Sequence, residues 1–564
     1  MTPSPYRGVP VSGGIAAGTA RVLPAATMKR GAPSSNGDRT VGVDEALDAV
    51  AGELTNAAKR LRDSGHPDEA EIVSVGALIA GDPLLRSEVG DLVAGGGDPV
   101  GSLTAVIERH AGAMEALGDP TLRERGADIR QVGRRAAAVL RGEPGPAAPA
   151  GPNVVIAEEL GPAEVIGLDG GTVVAGVAVR GGPNSHTAIV ARTLGLPLVL
   201  GVDPAILDTP GGTTVIVDGE AGTVTVAPAP DQLAKARVAM EAEAAHRSAL
   251  AKERGLPSET MDGHRVYLLC NVATAAETVA GLEAGAEGVG LLRTELTFLE
   301  VTAWPNEDAH RRVLEPILTL LGGKAAVVRV LDFGGDKVPP FLARELPAGS
   351  GPHIRGLPVL LAAKDALAAQ LRAAVDLGRW SRLGILVPMV TSLREVRMAR
   401  EILERASADV KAEVPELGVM VEVPSAALLA DRFAQDVDFL SIGTNDLTEH
   451  VLGVTRRDPA ARPALAAHPS VLALINRVAR AGREYGCAVR VCGEAASDPI
   501  VVPLLVGMGI EALSVSPARI DEVRARIRRL SFQDCAKVTA EALSMDSAED
   551  VWSLVRDRAW PALP

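Results

Sequence analysis

At 564 residues, 47% of them hydrophobic and 23% charged, the chain reads as a folded polypeptide of roughly three or four domains rather than a disordered one. A formal net charge of −14 and an aromatic content of only 2% argue against a nucleic-acid binder, which needs a Lys/Arg excess or stacking rings. The four cysteines, Cys270, Cys487, Cys492 and Cys535, form no CxxC pair, so neither a zinc site nor a disulfide framework is expected. The opening MTPSPYRGVPVSGG lacks the basic-then-apolar order of a leader, and no apolar run of about 18 residues occurs, so a cytoplasmic chain without membrane insertion is expected.

The first segment, GVPVSGGIAAGTARVL (8–23), alternates between glycine punctuation and short apolar runs, which predicts strands and a turn. From Asp44 the period changes. Leu47, Val50, Leu54, Ala57 and Leu61 recur at three- and four-residue steps, predicting an amphipathic helix that opens a helical block to about Leu140. RGEPGPAAPAGP (141–152) closes that block, and strand patterns resume at NVVIAEEL, GTVVAGVAV, LPLVLGV, TTVIVDG and GTVTVAP. The helical block therefore reads as an insertion into a β-rich domain. LAKARVAMEAEAAHRSALAKERG predicts a long exposed helix joining two halves of the chain. The expected boundaries are 1–24 and 146–228 for the β-rich domain, 25–145 for the insert, 229–260 for the linker and 261–564 for the remainder.

Within the β-rich part, GGPNSHTAIVARTLGLPLVLG (181–201) places His186 between a glycine-rich turn and a helix-like run. Locally this fits either a capped turn with an incidental histidine or a nucleophile displayed at a helix N-terminus. The second half repeats short apolar runs separated by helical stretches: VYLLCNV, GVGLLRTE, AVVRVLDFG, LGILVPMV, LGVMVEVP, VDFLSIGTND, AVRVCGEA and ALSVSP. Eight such units predict a (β/α)8 barrel; an open doubly wound sheet is the alternative, but no GxGxxG follows the first strand.

A barrel gathers its chemistry at the carboxyl ends of its strands. There the chain offers Arg293, Arg329 with the FGGDK loop behind it, Glu422, Asn445, Asp446, Arg456 and Cys492. Two carboxylates, Glu422 and Asp446, suit Mg²⁺, and the arginines suit phosphate and carboxylate oxygens. Cys492 is the group with a proton to give. No GxxxxGK[ST] loop exists for a nucleotide donor, so the expected ligand is a small, phosphorylated acid.

With those residues assembled, the chain resembles the phosphoenolpyruvate-utilising enzymes, and among them enzyme I of the bacterial phosphotransferase system. GGPNSHTAIVAR, GVGLLRTE, VRVLDFGGDK, GVMVEVP, SIGTNDLT and VCGEAA carry the resemblance, in that order along nearly the whole length. It implies a multidomain α/β fold: a β-rich phosphohistidine swivelling domain with an inserted α-helical domain, followed by a (β/α)8 barrel. It implies His186 as the phosphorylated histidine, Cys492 as the acid that protonates the enolate, and Mg²⁺ held by Glu422 and Asp446. Arg293, Arg329, Asn445, Asp446 and Arg456, with Lys337 and Arg355, would bind phosphoenolpyruvate. The implied partners are phosphoenolpyruvate and pyruvate, the small phosphocarrier HPr docked on the helical insert, and a second copy of the chain through the barrel. The chain departs from the family pattern in having Asn184 before the Ser-His pair, Pro358 after Arg355, and Thr455 before Arg456. Two other functions stay open at this point: a synthase- or dikinase-like enzyme needing ATP, and a phosphorelay scaffold without turnover.

Overall fold

The computed structural model describes residues 5–23, 42–63, 67–116, 120–142, 151–166, 172–182, 186–193, 195–299, 301–334, 338–339, 341–342, 355–454, 462–558, 560 and 563. The chain forms two compact units, Met1–Ala245 and His246–Pro564.

The first unit is built on one eight-stranded sheet. Its strands are β1 (Tyr6–Arg7), β2 (Val9–Ser12), β3 (Ile15–Val22), β4 (Pro152–Glu159), β5 (Thr172–Arg180), β6 (Leu198–Leu200), β7 (Thr214–Asp218) and β8 (Thr223–Val226), in the order β1-β8-β7-β3-β4-β5-β6-β2. Strands β3, β4, β5 and β6 are parallel neighbours, and the remaining pairs are antiparallel. Between the adjacent strands β3 and β4 lie five helices, α1 (Val43–Asp63), α2 (Pro67–Ala80), α3 (Pro83–Ala94), α4 (Pro99–Ala116) and α5 (Pro120–Leu140), so the helical block is an insertion. Its apolar period does what the sequence pattern requires: Leu47, Val50, Leu54 and Ala57 are buried in one cluster with Leu103, Val106 and Val132. The GDP break before α3 is a cap. Pro83 occupies the first turn, and the Asp82 carboxylate accepts the N–H groups of Leu84 at 2.8 Å and Leu85 at 3.4 Å.

Downstream, α6 (Pro162–Ile166) and α7 (His186–Thr193) flank β5. The long α8 (Pro230–Ala251) is the joining helix that the Ala/Glu/Lys/Arg-rich stretch predicts. No helix among the described residues is long and apolar enough to cross a membrane.

The second unit is a closed barrel of eight parallel strands. They are β9 (Tyr267–Val272), β10 (Gly288–Arg293), β11 (Ala325–Arg329), β12 (Arg382–Val387), β13 (Glu416–Val421), β14 (Phe439–Ile442), β15 (Ala488–Val491) and β16 (Ala512–Val515). Each coincides with one of the eight apolar runs, and the sheet closes by pairing β16 with β9, which excludes the open doubly wound alternative. One face of each strand packs outward against helices in a large aliphatic core. Inside the barrel, Leu291, Val327, Leu386, Met420 and Phe439 form a separate apolar plug, with Cys492 past one end of β15 and Ala488 at the other.

The Phe439 ring fills this interior only because two neighbouring strands carry glycine. A β-carbon on Gly418 would sit 2.2 Å from Phe439 Cε2, and one on Gly384 would sit 3.0 Å from Cε1. Gly418→Ala should therefore lower stability by about 1–3 kcal/mol, the usual cost of overpacking, read as a fall in denaturation midpoint. Combining it with Phe439→Leu should recover part of that loss; no recovery would mean that the ring is not what the glycine accommodates.

Candidate active site

At the carboxyl ends of the barrel strands lies a cavity of about 400 Å³. Arg293, Arg329, Arg355, Asn445, Asp446 and Cys492 all line it, so six residues singled out from sequence meet in one place. Glu422 follows β13 directly behind them and is fully buried.

Arg329 is the last residue of β11 and is 4% exposed. A buried guanidinium needs compensation, and two fully buried carboxylates supply it. Arg329 Nη2 donates to Glu295, and Nη1 lies 3.4 Å from Asp332 Oδ2. Burial works against its charge, but Glu295 and Asp332 hold its pKa above the ordinary arginine value. Asp332 also receives a bidentate pair from Arg355, at 2.9 and 2.6 Å, and the third arm of Arg355 reaches Asp446 Oδ1 at 2.9 Å. The strand end is braced from behind: Gln370 donates to Thr294 Oγ1, and Thr294 donates to the Arg329 carbonyl, both at 2.9 Å.

Arg293 differs. It ends β10, lines the cavity and has no ion pair among the described residues, and its buried Nε has no hydrogen-bond partner. An uncompensated guanidinium facing a cavity is a ready anion receptor.

The carboxylates show the complementary imbalance. Glu422 Oε1 accepts the Met389 N–H at 2.6 Å, while the buried Oε2 has no partner. Met389 holds a left-handed backbone, φ 56°, at this contact, which is uncommon for a residue with a β-carbon. Burial, then the charges of Asp446 and Asp332, push the Glu422 carboxyl up to about 8. Two mutually repelling buried carboxylates with an unused oxygen are the donor chemistry of a hard divalent cation that completes its shell with ligand and water. Among the described residues no three such side chains converge as a ready-made cage.

Cys492 follows β15. Its thiol donates to the Ile442 carbonyl at 3.6 Å and accepts the Ser441 hydroxyl at 3.3 Å. Burial pushes it up to about 11, against the opposing pull of the Ser441 hydrogen bond and of Arg329 and Arg293, so it is a protonated thiol at neutral pH. Asn271 donates to the Cys492 and Ser514 carbonyls at 2.9 and 3.0 Å, tying the two strand ends together.

Two placements differ from the sequence reading. Asn445 and Asp446 do not end a strand; they sit in the first turn of the helix Thr444–Leu452, two residues past β14. The Asn445 side-chain amide oxygen Oδ1 there accepts the Glu494 N–H at 2.9 Å, joining the loops after β14 and β15. His186 belongs to the other unit. It opens α7, and the next residue anchors that end, Thr187 Oγ1 donating to the Leu160 carbonyl at 2.6 Å. Lys337 and Arg456 lie outside the described residues, as does the His186 side chain. Glu295 and Asp332 were not picked out from sequence, although each is an acidic residue two or three positions after a strand-end arginine in an otherwise apolar run.

A carboxyl raised on folding stabilises the protein fully below its unfolded pKa, and that contribution is lost as pH climbs toward the folded value near 8. Glu422→Gln keeps an acceptor for Met389 and removes the charge. In metal-free buffer its melting temperature relative to wild type should therefore rise between about pH 5 and pH 9. A difference that stays flat over that range, by scanning calorimetry, would mean that Glu422 is ionised throughout.

Comparison with known proteins places these features in a family. Residues 247–532 match the PEP-utilising enzyme, PEP-binding domain; residues 149–222 match the PEP-utilising enzyme, mobile domain; residues 7–125 match the PEP-utilising enzyme, N-terminal region. The chain is 36% identical to a multiphosphoryl transfer protein of Xanthomonas campestris, over 98% of this chain and 67% of that one. It is 36% identical to a multiphosphoryl transfer protein of Rhodobacter capsulatus, over 90% of this chain and 62% of that one. It is also 36% identical to a phosphoenolpyruvate-protein phosphotransferase of Streptomyces coelicolor, over 96% of this chain and 97% of that one. The chain thus spans about two thirds of the first two relatives and nearly all of the third. With a family match over half its length and a relative aligned end to end, the chain belongs to the PEP-utilising enzymes.

Proposed function

We propose that this protein is a phosphoenolpyruvate-protein phosphotransferase that phosphorylates itself on His186, releases pyruvate, and passes the phosphoryl group to a histidine of the small carrier HPr, the first step of phosphotransferase-type sugar uptake. The observation that carries this reading is the cavity at the strand ends, lined by Arg293, which has no ion pair among the described residues, by the ion-paired Arg329 and by the buried Cys492. A small acid with phosphoryl and carboxylate oxygens fits the arginines, and a carbon base produced there would have a proton donor at hand.

In this reading a neutral imidazole nitrogen of His186 attacks phosphorus, and the bond from phosphorus to the enol oxygen breaks. Arg293 and Arg329 disperse the charge on the transferring oxygens. The pyruvate enolate takes the Cys492 proton at carbon, which makes the transfer favourable, and the thiolate is reprotonated afterwards. Mg²⁺, held by Glu422 and Asp446, would supply positive charge to the enolate and phosphoryl oxygens. Asn445, Arg355, Lys337 and Arg456 complete the binding set. The start of α7 suits an anionic phosphohistidine, since a helix N-terminus presents N–H groups and positive potential.

His186 and the donor cavity belong to different units, and in this reading the sheet-based domain, 1–24 and 146–228, swings between the barrel, 261–564, and a carrier on the insert, about the linkers 141–152 and 229–260. The insert, 25–145, would dock the carrier; Leu78 and Leu84 expose apolar side chains there, 73% and 61% accessible. Dimerisation through the barrel and a cytoplasmic location complete the proposal.

Incubation with labelled phosphoenolpyruvate and Mg²⁺, without nucleotide, should leave an acid-labile, base-stable label on wild type and none on His186→Ala. Label that appears only with ATP would favour a dikinase-like enzyme, and unchanged label on His186→Ala would overturn the assignment. Cys492→Ala should bind phosphoenolpyruvate but form pyruvate about 10²–10⁴-fold more slowly, the range for loss of a general acid. Arg293→Ala should weaken phosphoenolpyruvate binding roughly 10- to 100-fold, as for a lost charged hydrogen-bond donor.

A further inference from the structure

At the opposite end of the barrel, where the strands begin, a second and larger cavity of about 860 Å³ opens. Tyr267, Ala325, Arg382, Ala488 and Ala512, the first residues of five strands, form part of its wall. Six cations line it: Arg254, Arg265, Lys324, Arg382, Arg490 and Arg524. Among the described residues two carboxylates do, Glu287 and Glu511.

Part of this charge is matched. Arg254 makes a bidentate pair with Asp521, Arg265 pairs with Glu287 at 2.5 Å, and Arg490 lies 3.6 Å from Glu416. The other three cations, Lys324, Arg382 and Arg524, have no ion pair among the described residues. Arg524 is the telling one. It is 2% exposed, its two Nη groups donate to the Leu256 and Gly285 carbonyls and the Ser258 hydroxyl, and the Glu287 and Asp521 charges act on it without a direct ion pair. Its Nε and Arg265 Nη1 are buried without a hydrogen-bond partner.

Lys324, the residue before β11, and Arg382, the first of β12, lie beside each other, the Arg382 N–H donating to the Lys324 carbonyl at 3.0 Å. Arg490 points into the barrel with its guanidinium 4.4 Å from the Phe439 ring centroid; burial holds its pKa below the ordinary arginine value, Glu416 and Glu511 favour its charge, and Arg382 adds a smaller opposing effect. The cations in the wall outnumber its carboxylates, and that leaves a positive potential that an anion would neutralise. The volume is that of a small-ligand site, and Tyr267 and Leu256, 51% and 42% exposed, offer apolar surface beside the cations.

We infer that this basin is a binding site for a small organic anion with at least two negative charges on clustered oxygens, a phosphoryl ester or a polycarboxylate. It is separate from the cavity of Arg293 and Cys492, and the inference does not depend on the function proposed for that cavity.

Titration calorimetry of the full chain in metal-free buffer, at fixed ionic strength, tests this with pyrophosphate and citrate as probes. Binding should survive Arg293→Ala, which weakens the upper cavity. It should weaken at least tenfold in the double variant Lys324→Ala/Arg382→Ala, whose two side chains are exposed and whose removal leaves the core intact. Preference for pyrophosphate would assign phosphoryl ligands, and preference for citrate would assign polycarboxylates. The inference fails if Arg293→Ala abolishes all binding, if the double variant binds like wild type, or if added chloride displaces either probe as readily as an equal charge of the other.

Discussion

Arg329 has to remain charged where almost no water reaches it, and the upper site is arranged around that requirement. An unpaired guanidinium there would be strongly destabilising, whereas one clasped between Glu295 and Asp332 is both stable and fixed in direction. Asp332 then has oxygens to share, and Arg355 takes them while extending its third arm to Asp446. The result is a chain of alternating charges that runs from the loop after β10 to the helix after β14. Arg293, with no ion pair among the described residues, stands outside that chain of charges.

The barrel makes this possible by separating polar layers with an apolar one. Strand alternation sends Leu291, Val327, Leu386 and Met420 inward below the charged ends, and Phe439 closes the plug. That plug keeps water away from the underside of Cys492 and Glu422, so burial, more than any single neighbour, raises both pKa values. A thiol that keeps its proton and a carboxyl that resists ionisation are two results of the same dry floor.

Much of this was legible in the sequence because it is periodic. Eight apolar runs of strand length, spaced by helical stretches, could close into a barrel, and the last residues of those runs had to converge. The insertion was equally visible, since the two-residue alternation before Val22 resumes only after Pro152. The compensating layer was less legible. Glu295 and Asp332 look like ordinary acidic residues after a strand, and only burial reveals that they neutralise Arg329. The placement of Asn445 and Asp446 in a helical first turn was also hidden, because SIGTND reads as a strand running into polar residues, and the helix start after Gly443 has no side-chain cap to announce it. The lower basin carries no motif at all. Its cations come from the turn after α8, from residues in or just before four different strands, and from a helix distant in sequence, and they meet only once the ring of strands has closed.

The insertion also bears on how the first unit reaches its fold. Strands β3 and β4 pair in register, Thr19 with Asn153 and Val22 with Ile156, although the whole helical block separates them in sequence. Closing so long a loop directly would be slow and entropically unfavourable. Helices α1 and α5 pack against each other, with Arg135 of α5 reaching Glu53 of α1 at 3.5 Å, so the two ends of the insert lie side by side once its aliphatic core has formed. The effective loop is then only the two connectors. The expected order is helices first and the β3–β4 seam afterwards, with the insert acting as a clasp that brings distant strands within reach.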